Sequence, residues 1–441
     1  MRPSVDIDAL MDGRMPARQK LVLGLGALAI VFDGFDNQLL GFAAPAIMAD
    51  WHLSATSLVP VVAFSLIAMT VGTALGGYLA DRVGRRPMLI GCVFLFGIAT
   101  LAIAAAPDFT TLIALRITAG LGLGGALPVA AAYLTEFTSK RHRSMVVSLG
   151  IVCTPLGGLI AGALSAVILP SMGWRHLFLA GGLLSVGTAM MFLLLLPESP
   201  RYLLARGGHD RRINTLLRRF GHAIDADAHV VCTEAEAPAK PGLTQIFSAQ
   251  GIGQTLLLWS AFFCCLLAVY AMFSWGPTIL NGGGVGLRVA SIGLALFNLG
   301  GMLGALVVGV AMDRLGSRRP MLAFAAAASI VSAIAALYWS YPDRSATGFM
   351  VIFAILGLTI AGLQVALYAL ATQIYPTAMR ASGVGFAAAI GRLGAIASSA
   401  AGALSLANGA SIFFVILAVA MAGAGVALAS MRHHFSATAR P

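Results

Sequence analysis

Two acids stand where a hydrocarbon environment is expected. Asp33 and Asp36 lie in the stretch VFDGFDNQLLG (Val31–Gly41), inside an apolar run from Leu21 to Met48 that is long enough to cross a bilayer. A carboxylate at the centre of a membrane helix costs about 3 kcal/mol on translocon scales, and such residues commonly mark ion pathways. Their spacing of three places both on one helix face, about 5–6 Å apart. Acids that close do not ionise independently and are expected to titrate as a coupled pair, which is what a proton site requires. The competing account is two polar groups facing water near a helix end, or satisfied by a neighbouring helix. Arg116 lies inside another apolar run, Thr111–Leu134. At 1.5 Å per residue it sits about 9 Å from one interface, and the acids about 20–24 Å from the other. In a core about 30 Å thick those depths nearly coincide. An ion pair is the least unfavourable arrangement for all three; an arginine snorkelling to the headgroups is the alternative.

The elements that must position these groups follow from composition and charge placement. Of 441 residues, 59% are hydrophobic and 10% charged, with a mean hydropathy of +0.90, whereas soluble domains carry about 25% charge. Twelve apolar spans are expected, at Leu21–Met48, Leu58–Ala80, Met88–Ala106, Thr111–Leu134, Ser144–Leu169 and His176–Leu196, then Ile252–Leu280, Val289–Met312, Met321–Trp339, Gly348–Thr372, Gly383–Ala407 and Ala410–Met431. The fold class is therefore an all-α membrane protein. Lys and Arg cluster in alternate connections, while the opposite ones hold only Arg175, Arg288 and Arg344. This bias puts both termini in the cytoplasm. The net charge of +11 thus reports topology, and no nucleic-acid partner is expected. The organisation reads as a cytoplasmic segment over 1–20, a six-helix bundle over 21–196, a cytoplasmic loop over 197–251, a second six-helix bundle over 252–431 and a cytoplasmic tail over 432–441. The five cysteines form no disulfide framework, and nothing points to a metal or another cofactor.

An internal repeat links the two halves. ADRVGRRPML (Ala80–Leu89) returns as MDRLGSRRPML (Met312–Leu322), and TEFTSKRHRS (Thr135–Ser144) is echoed more weakly by TQIYPTAMRAS (Thr372–Ser382). Parallel repeats of this kind belong to one transporter architecture, with a substrate site near the midplane. Asp81, Arg82, Arg85, Arg86, Glu136, Asp313, Arg314 and Arg380 are candidate gate residues whose pairs break as the halves rock; solvated loop charges are the plainer account.

With the duplicated DRxGRR motif and twelve spans, the chain resembles the major facilitator superfamily over nearly its whole length. Within it, DGFD followed by GFAAPAI, LRITAGLGLGG (Leu115–Gly125), PESPRYLLARG and FSWGPTIL (Phe273–Leu280) resemble the aromatic acid:proton symporter family. Val129 departs from the resemblance, which has Asn after the proline at this place. The resemblance implies two pseudo-symmetric six-helix bundles in the inner membrane, a monomer, and alternating-access uptake of an aromatic carboxylate such as a hydroxybenzoate together with a proton. It also supports pairing of Arg116 with Asp33 and Asp36.

Arg392 lies about 14 Å inside its span, and the spans of its own half hold no acid, so its bidentate fork is free to anchor a substrate carboxylate. A gate arginine bonded to helix-end carbonyls is the alternative. Asn298, Gln364, Tyr270, Trp275 and Tyr368 are candidate pocket residues that would suit a phenolic acid by stacking and hydrogen bonding, against the default of core aromatics. No G-x-x-x-x-G-K-[ST] phosphate loop occurs, so ATP-driven pumping by this chain is unsupported. A proton-coupled exporter of hydrophobic or organic-acid compounds and a non-transporting receptor for aromatic acids remain as alternatives. An enzyme is not expected, because no nucleophile or metal-ligand constellation is present.

Overall fold

The computed structural model describes residues 4–6, 15–139, 143–206, 210–220, 229–231, 252–341, 345–375, 380–432 and 434. In chain order these form β1 (Ser4–Asp6), α1 (Ala17–Trp51), α2 (Val59–Val83), α3 (Arg85–Ile103), α4 (Phe109–Glu136), α5 (Arg143–Met172), α6 (Trp174–Leu195), α7 (Pro200–Ala205), α8 (Asp210–Arg219) and β2 (His229–Val231). The second half adds α9 (Ile252–Gly282), α10 (Leu287–Leu315), α11 (Arg318–Trp339), α12 (Ala346–Leu356), α13 (Gly362–Ile374), α14 (Arg380–Asn408) and α15 (Ala410–Ser430). Gly357–Ala361, between α12 and α13, is a π-helical turn, a feature that widens a helix locally and recurs at functional sites. Among the described residues, twelve helical segments are long and apolar enough to cross a membrane, from Ala17–Trp51 to Ala410–Ser430. Each overlaps one of the expected spans, most of them within a few residues at either end, the fifth segment beginning eight residues later than expected. Helices that leave Leu, Ile and Val exposed on one side, as Leu194, Leu337 and Val419 do, are built for lipid and not for water.

Helix ends follow local chemistry. Asp108 caps α4 by accepting from the Thr111 amide at 2.7 Å, and Ser345 caps α12 through the Gly348 amide at 3.0 Å. Both copies of the DRxG motif break the chain with glycine in the left-handed region, Gly84 at φ 118° and Gly316 at φ 75°. Only glycine takes that turn without strain, which explains why the repeat keeps this residue at both places.

The chain forms two compact units. One contains 1–37, 68–157 and 178–239, the other 38–67, 158–177 and 240–441. Helices α1, α2, α5 and α6 thus contribute to both. In the first unit α3 lies along α4, and the glycine face of α4 allows the close approach, as expected for small residues at helix contacts in lipid. In the second unit α9 packs on α14 and α15, α10 on α12–α13, and α11 on α15. β1 pairs in parallel with β2, and Arg18 donates to the Arg219 carbonyl at 3.1 Å, so the chain's start is tied to the central connection.

Candidate functional site

The first unit gathers the intramembrane charges. Asp33 and Asp36 on α1 are 2% and 0% exposed, and Arg116 on α4 is 2% exposed. Asp36 Oδ1 accepts from the Thr100 hydroxyl of α3 at 2.5 Å, and its Oδ2 lies 3.8 Å from the Arg116 guanidinium. Gly34, between the two acids, faces the backbone of Thr154 on α5, where a Cβ would collide with the carbonyl. That contact pulls α1 against α5 and leaves its acidic face to α3 and α4. A carboxylate held by one short hydroxyl bond and one longer charge contact can gain or lose a proton without dismantling the packing around it.

The second unit holds the other intramembrane arginine. Arg392 of α14 is half-buried and forms no ion pair among the described residues. Tyr368 of α13 and Tyr270 of α9 lie within electrostatic range of one another and Tyr368 within that of Arg392, so these three candidate residues share one neighbourhood. Tyr368 meets Phe262 edge-on at 5.0 Å and Tyr270 meets Phe273 at 5.9 Å. Gln364 is half-buried three residues beyond the π turn. Trp275 is fully buried with Gly402 against its indole, and Asn298 is fully buried and bonded to Gln38 at 2.8 and 3.0 Å.

At the DRxGRR connection, Arg85 pairs with Asp81 at 2.6 Å and with Glu136 at 2.8 Å. The partner of Asp81 is therefore four residues away, in its own half. Arg82 lies over the Tyr78 ring at 4.3 Å, and Arg86 donates to the Leu193 carbonyl at 2.7 Å. Glu198 accepts from the amides of Arg85 and Arg86, both at 3.1 Å, capping α3 with the charge a helix start prefers. The Arg82 carbonyl accepts from Tyr202 at 3.0 Å and also from Arg206. In the second copy Asp313 and Arg314 are exposed. The adjoining Ser317 meets His434 at 3.1 Å, and Arg318 donates to the Ala429 carbonyl at 3.3 Å. The expected role of Arg380 concerns a side chain outside the described ones.

A chain with twelve membrane-length helical segments among its described residues, a buried acid–arginine pair and a duplicated basic connection matches a known family model. Residues 26–399 and 284–439 match the Major Facilitator Superfamily. The chain belongs to this superfamily. As a member of it, the protein is a transporter and not an enzyme, and it is a multi-pass membrane protein. It is 36% identical to a 4-hydroxybenzoate transporter, PcaK, of Pseudomonas aeruginosa, over 98% of this chain and 97% of the relative. It is 34% identical to a gallate transporter of Pseudomonas putida, over 97% and 95%. Among solved structures, the inward open conformation of the xylose transporter XylE from E. coli matches with a TM-score of 0.73 at 18% identity, covering 95% of this chain and 97% of that one; this likeness concerns the superfamily's fold alone.

Sequence reasoning missed Thr100, Gln38 and Glu198 as partners within these clusters. Glu198 stood in the quoted PESPRYLLARG, where an acid just outside a basic repeat signals a cap. Gln38 stood in the opening stretch, a second uncharged polar group in an apolar run. Thr100 carries no such signal, since threonine is common in membrane helices.

Proposed function

We propose that this superfamily member carries an aromatic carboxylate, such as a hydroxybenzoate, inward across the inner membrane together with a proton, by alternating access between two six-helix bundles over 21–196 and 252–431. The observation that carries the coupling is the buried Asp36, held between Thr100 and Arg116. Deprotonated, the carboxylate stays paired with Arg116; protonated, it releases the guanidinium and lets the loaded bundles rock. Asp33, on the same buried helix face, shares this proton traffic. Arg392 anchors the substrate carboxylate, with Tyr270 and Tyr368 beside the ring and Gln364 within reach of a ring hydroxyl. The aromatic-acid substrate is supported by the two relatives whose names state one. Both termini and the 197–251 connection face the cytoplasm, as the distribution of basic residues argues. There the pairs of Arg85 with Asp81 and Glu136 form part of the inner gate, which Asp313, Arg314 and Arg380 complete from the second half.

Uptake of labelled 4-hydroxybenzoate into right-side-out vesicles tests this reading. An imposed gradient, acidic outside, is expected to drive accumulation that a protonophore abolishes. Binding without flux would favour a receptor, and gradient-driven efflux an exporter.

A further inference from the structure

Within the second unit, α1 meets α10 through a closed pair of primary amides. Gln38 Nε2 donates to Asn298 Oδ1 at 3.0 Å, and Asn298 Nδ2 donates back to Gln38 Oε1 at 2.8 Å. Asn298 Nδ2 also donates to the Leu294 carbonyl of its own helix at 2.9 Å, which fixes the side chain's direction. Gln38 is 0% exposed and Asn298 1%. A third helix seals the pair: Gly158 of α5 leaves no room for a Cβ, which would collide with both Gln38 Nε2 and Asn298 Oδ1. Around this point Gly41 of α1 lies against the Phe273 carbonyl of α9, and Gly162 of α5 against Ala295 of α10. Segments from the first sequence half are therefore in direct backbone-level contact with α9 and α10 from the second.

We propose that Gln38 and Asn298 form a reversible polar latch that holds this end of the pathway shut. The energetics of buried amides favour such a device. Paired, they contribute a net of about 1 kcal/mol; separated in a dry interface, each would cost about 1–3 kcal/mol; separated with water between the helices, each is hydrated again. The half-open dry arrangement is the unfavourable one, so the contact switches between shut and fully wetted instead of loosening by degrees. An apolar contact alone has no such directionality. Neither amide titrates, so the latch holds at any external pH, and release has to reach it through α1, on which Gln38 follows Asp36 by two residues. Asn298 thereby becomes a gate residue in this state, its amide taken up by Gln38 and not offered to substrate.

The latch rests on the transport reading, and its test is read without transport. A reporter Ala44→Cys, buried in α1 six residues beyond Gln38, is placed in a chain whose five cysteines are replaced by serine or alanine, and labelled in intact cells with a membrane-impermeant maleimide. Asn298→Ala and Gly158→Ala are each expected to raise the labelling rate about tenfold, the equivalent of 1.4 kcal/mol. The swap Gln38→Asn/Asn298→Gln, which restores an amide pair, is expected to return the rate toward that of the parent. Unchanged labelling in both single variants, or a swap that labels as fast as Asn298→Ala, overturns the latch. A parent that does not transport but responds in labelling refutes only the proposed function.

Discussion

Asp36 has two partners of unequal grip, and this asymmetry makes it the residue on which coupling is proposed to turn. The Thr100 bond at 2.5 Å is short, as hydroxyl bonds to a charged oxygen are, while Arg116 stands 3.8 Å away, beyond a hydrogen bond. Asp36→Asn keeps the shape and removes the proton. It is expected to abolish acid-driven accumulation of 4-hydroxybenzoate while retaining substrate exchange across preloaded vesicles; accumulation that still follows external acidity would count against the scheme. Arg392 differs in having no ion pair among the described residues, and Arg392→Lys loses the planar fork but keeps the charge. One charge-assisted bond is worth about 1.5–3 kcal/mol, so KM is expected to rise about tenfold or more with little change in maximal rate, as measured by initial uptake.

At the scale of elements, the connection between α2 and α3 is set by one backbone angle. Gly84 sits at φ 118° with the Glu198 carboxylate where a side chain would go. Gly84→Ala therefore has to adopt a conformation costing about 1–2 kcal/mol and displace the carboxylate that caps α3. The melting temperature in detergent is expected to fall by several degrees, whereas Gly309→Ala, with open space around it, is expected to be nearly neutral.

The chain's end supplies a second element-scale case. Read from sequence, 432–441 is a cytoplasmic tail; within it His434 is partly buried, between the Ser317 hydroxyl at 3.1 Å and the Leu428 carbonyl at 3.1 Å. Burial pushes its pKa below the ordinary value, the bond to Leu428 raises it, and the nearby Arg318 lowers it further. A histidine whose folded pKa is depressed contributes fully above its unfolded pKa of about 6.5 and loses that contribution as the pH falls through the folded value. Cleavage of the C-terminus by protease in inside-out vesicles is thus expected to be faster at pH 5 than at pH 7.5, and His434→Phe is expected to flatten that dependence.

For the whole molecule the proposed cycle ties stoichiometry to the driving force. One proton moving with a monoanion carries no net charge and responds to the pH gradient alone. A second proton would couple uptake to the membrane potential, at about 2.3 kcal/mol per 100 mV. Vesicles with a potassium diffusion potential and no pH gradient are expected to show no accumulation if one proton is carried. Accumulation driven by an inside-negative potential would point to a second proton, for which Asp33, the other buried acid of α1, is the proposed group.

Much of this architecture is written in one dimension. Apolar runs of bilayer length dictate helices because hydrocarbon offers backbone groups no other partner. The repeated DRxG dictates where two of the helices break, because each glycine meets a backbone angle other residues resist. That Asp36 and Arg116 lie at matching depth could likewise be counted from rise per residue. What only the tertiary structure decided is which polar group each side chain meets. Thr100, not Asp33, holds the Asp36 oxygen; Glu198, far along the chain, caps α3; and Asn298 answers to Gln38 and not to open space. Spacing along a helix sets a residue's face and depth, but the neighbour across that face depends on how closely the backbones approach. Glycines such as Gly34 and Gly158 set that approach, and their effect is visible only once the opposing helix is in place.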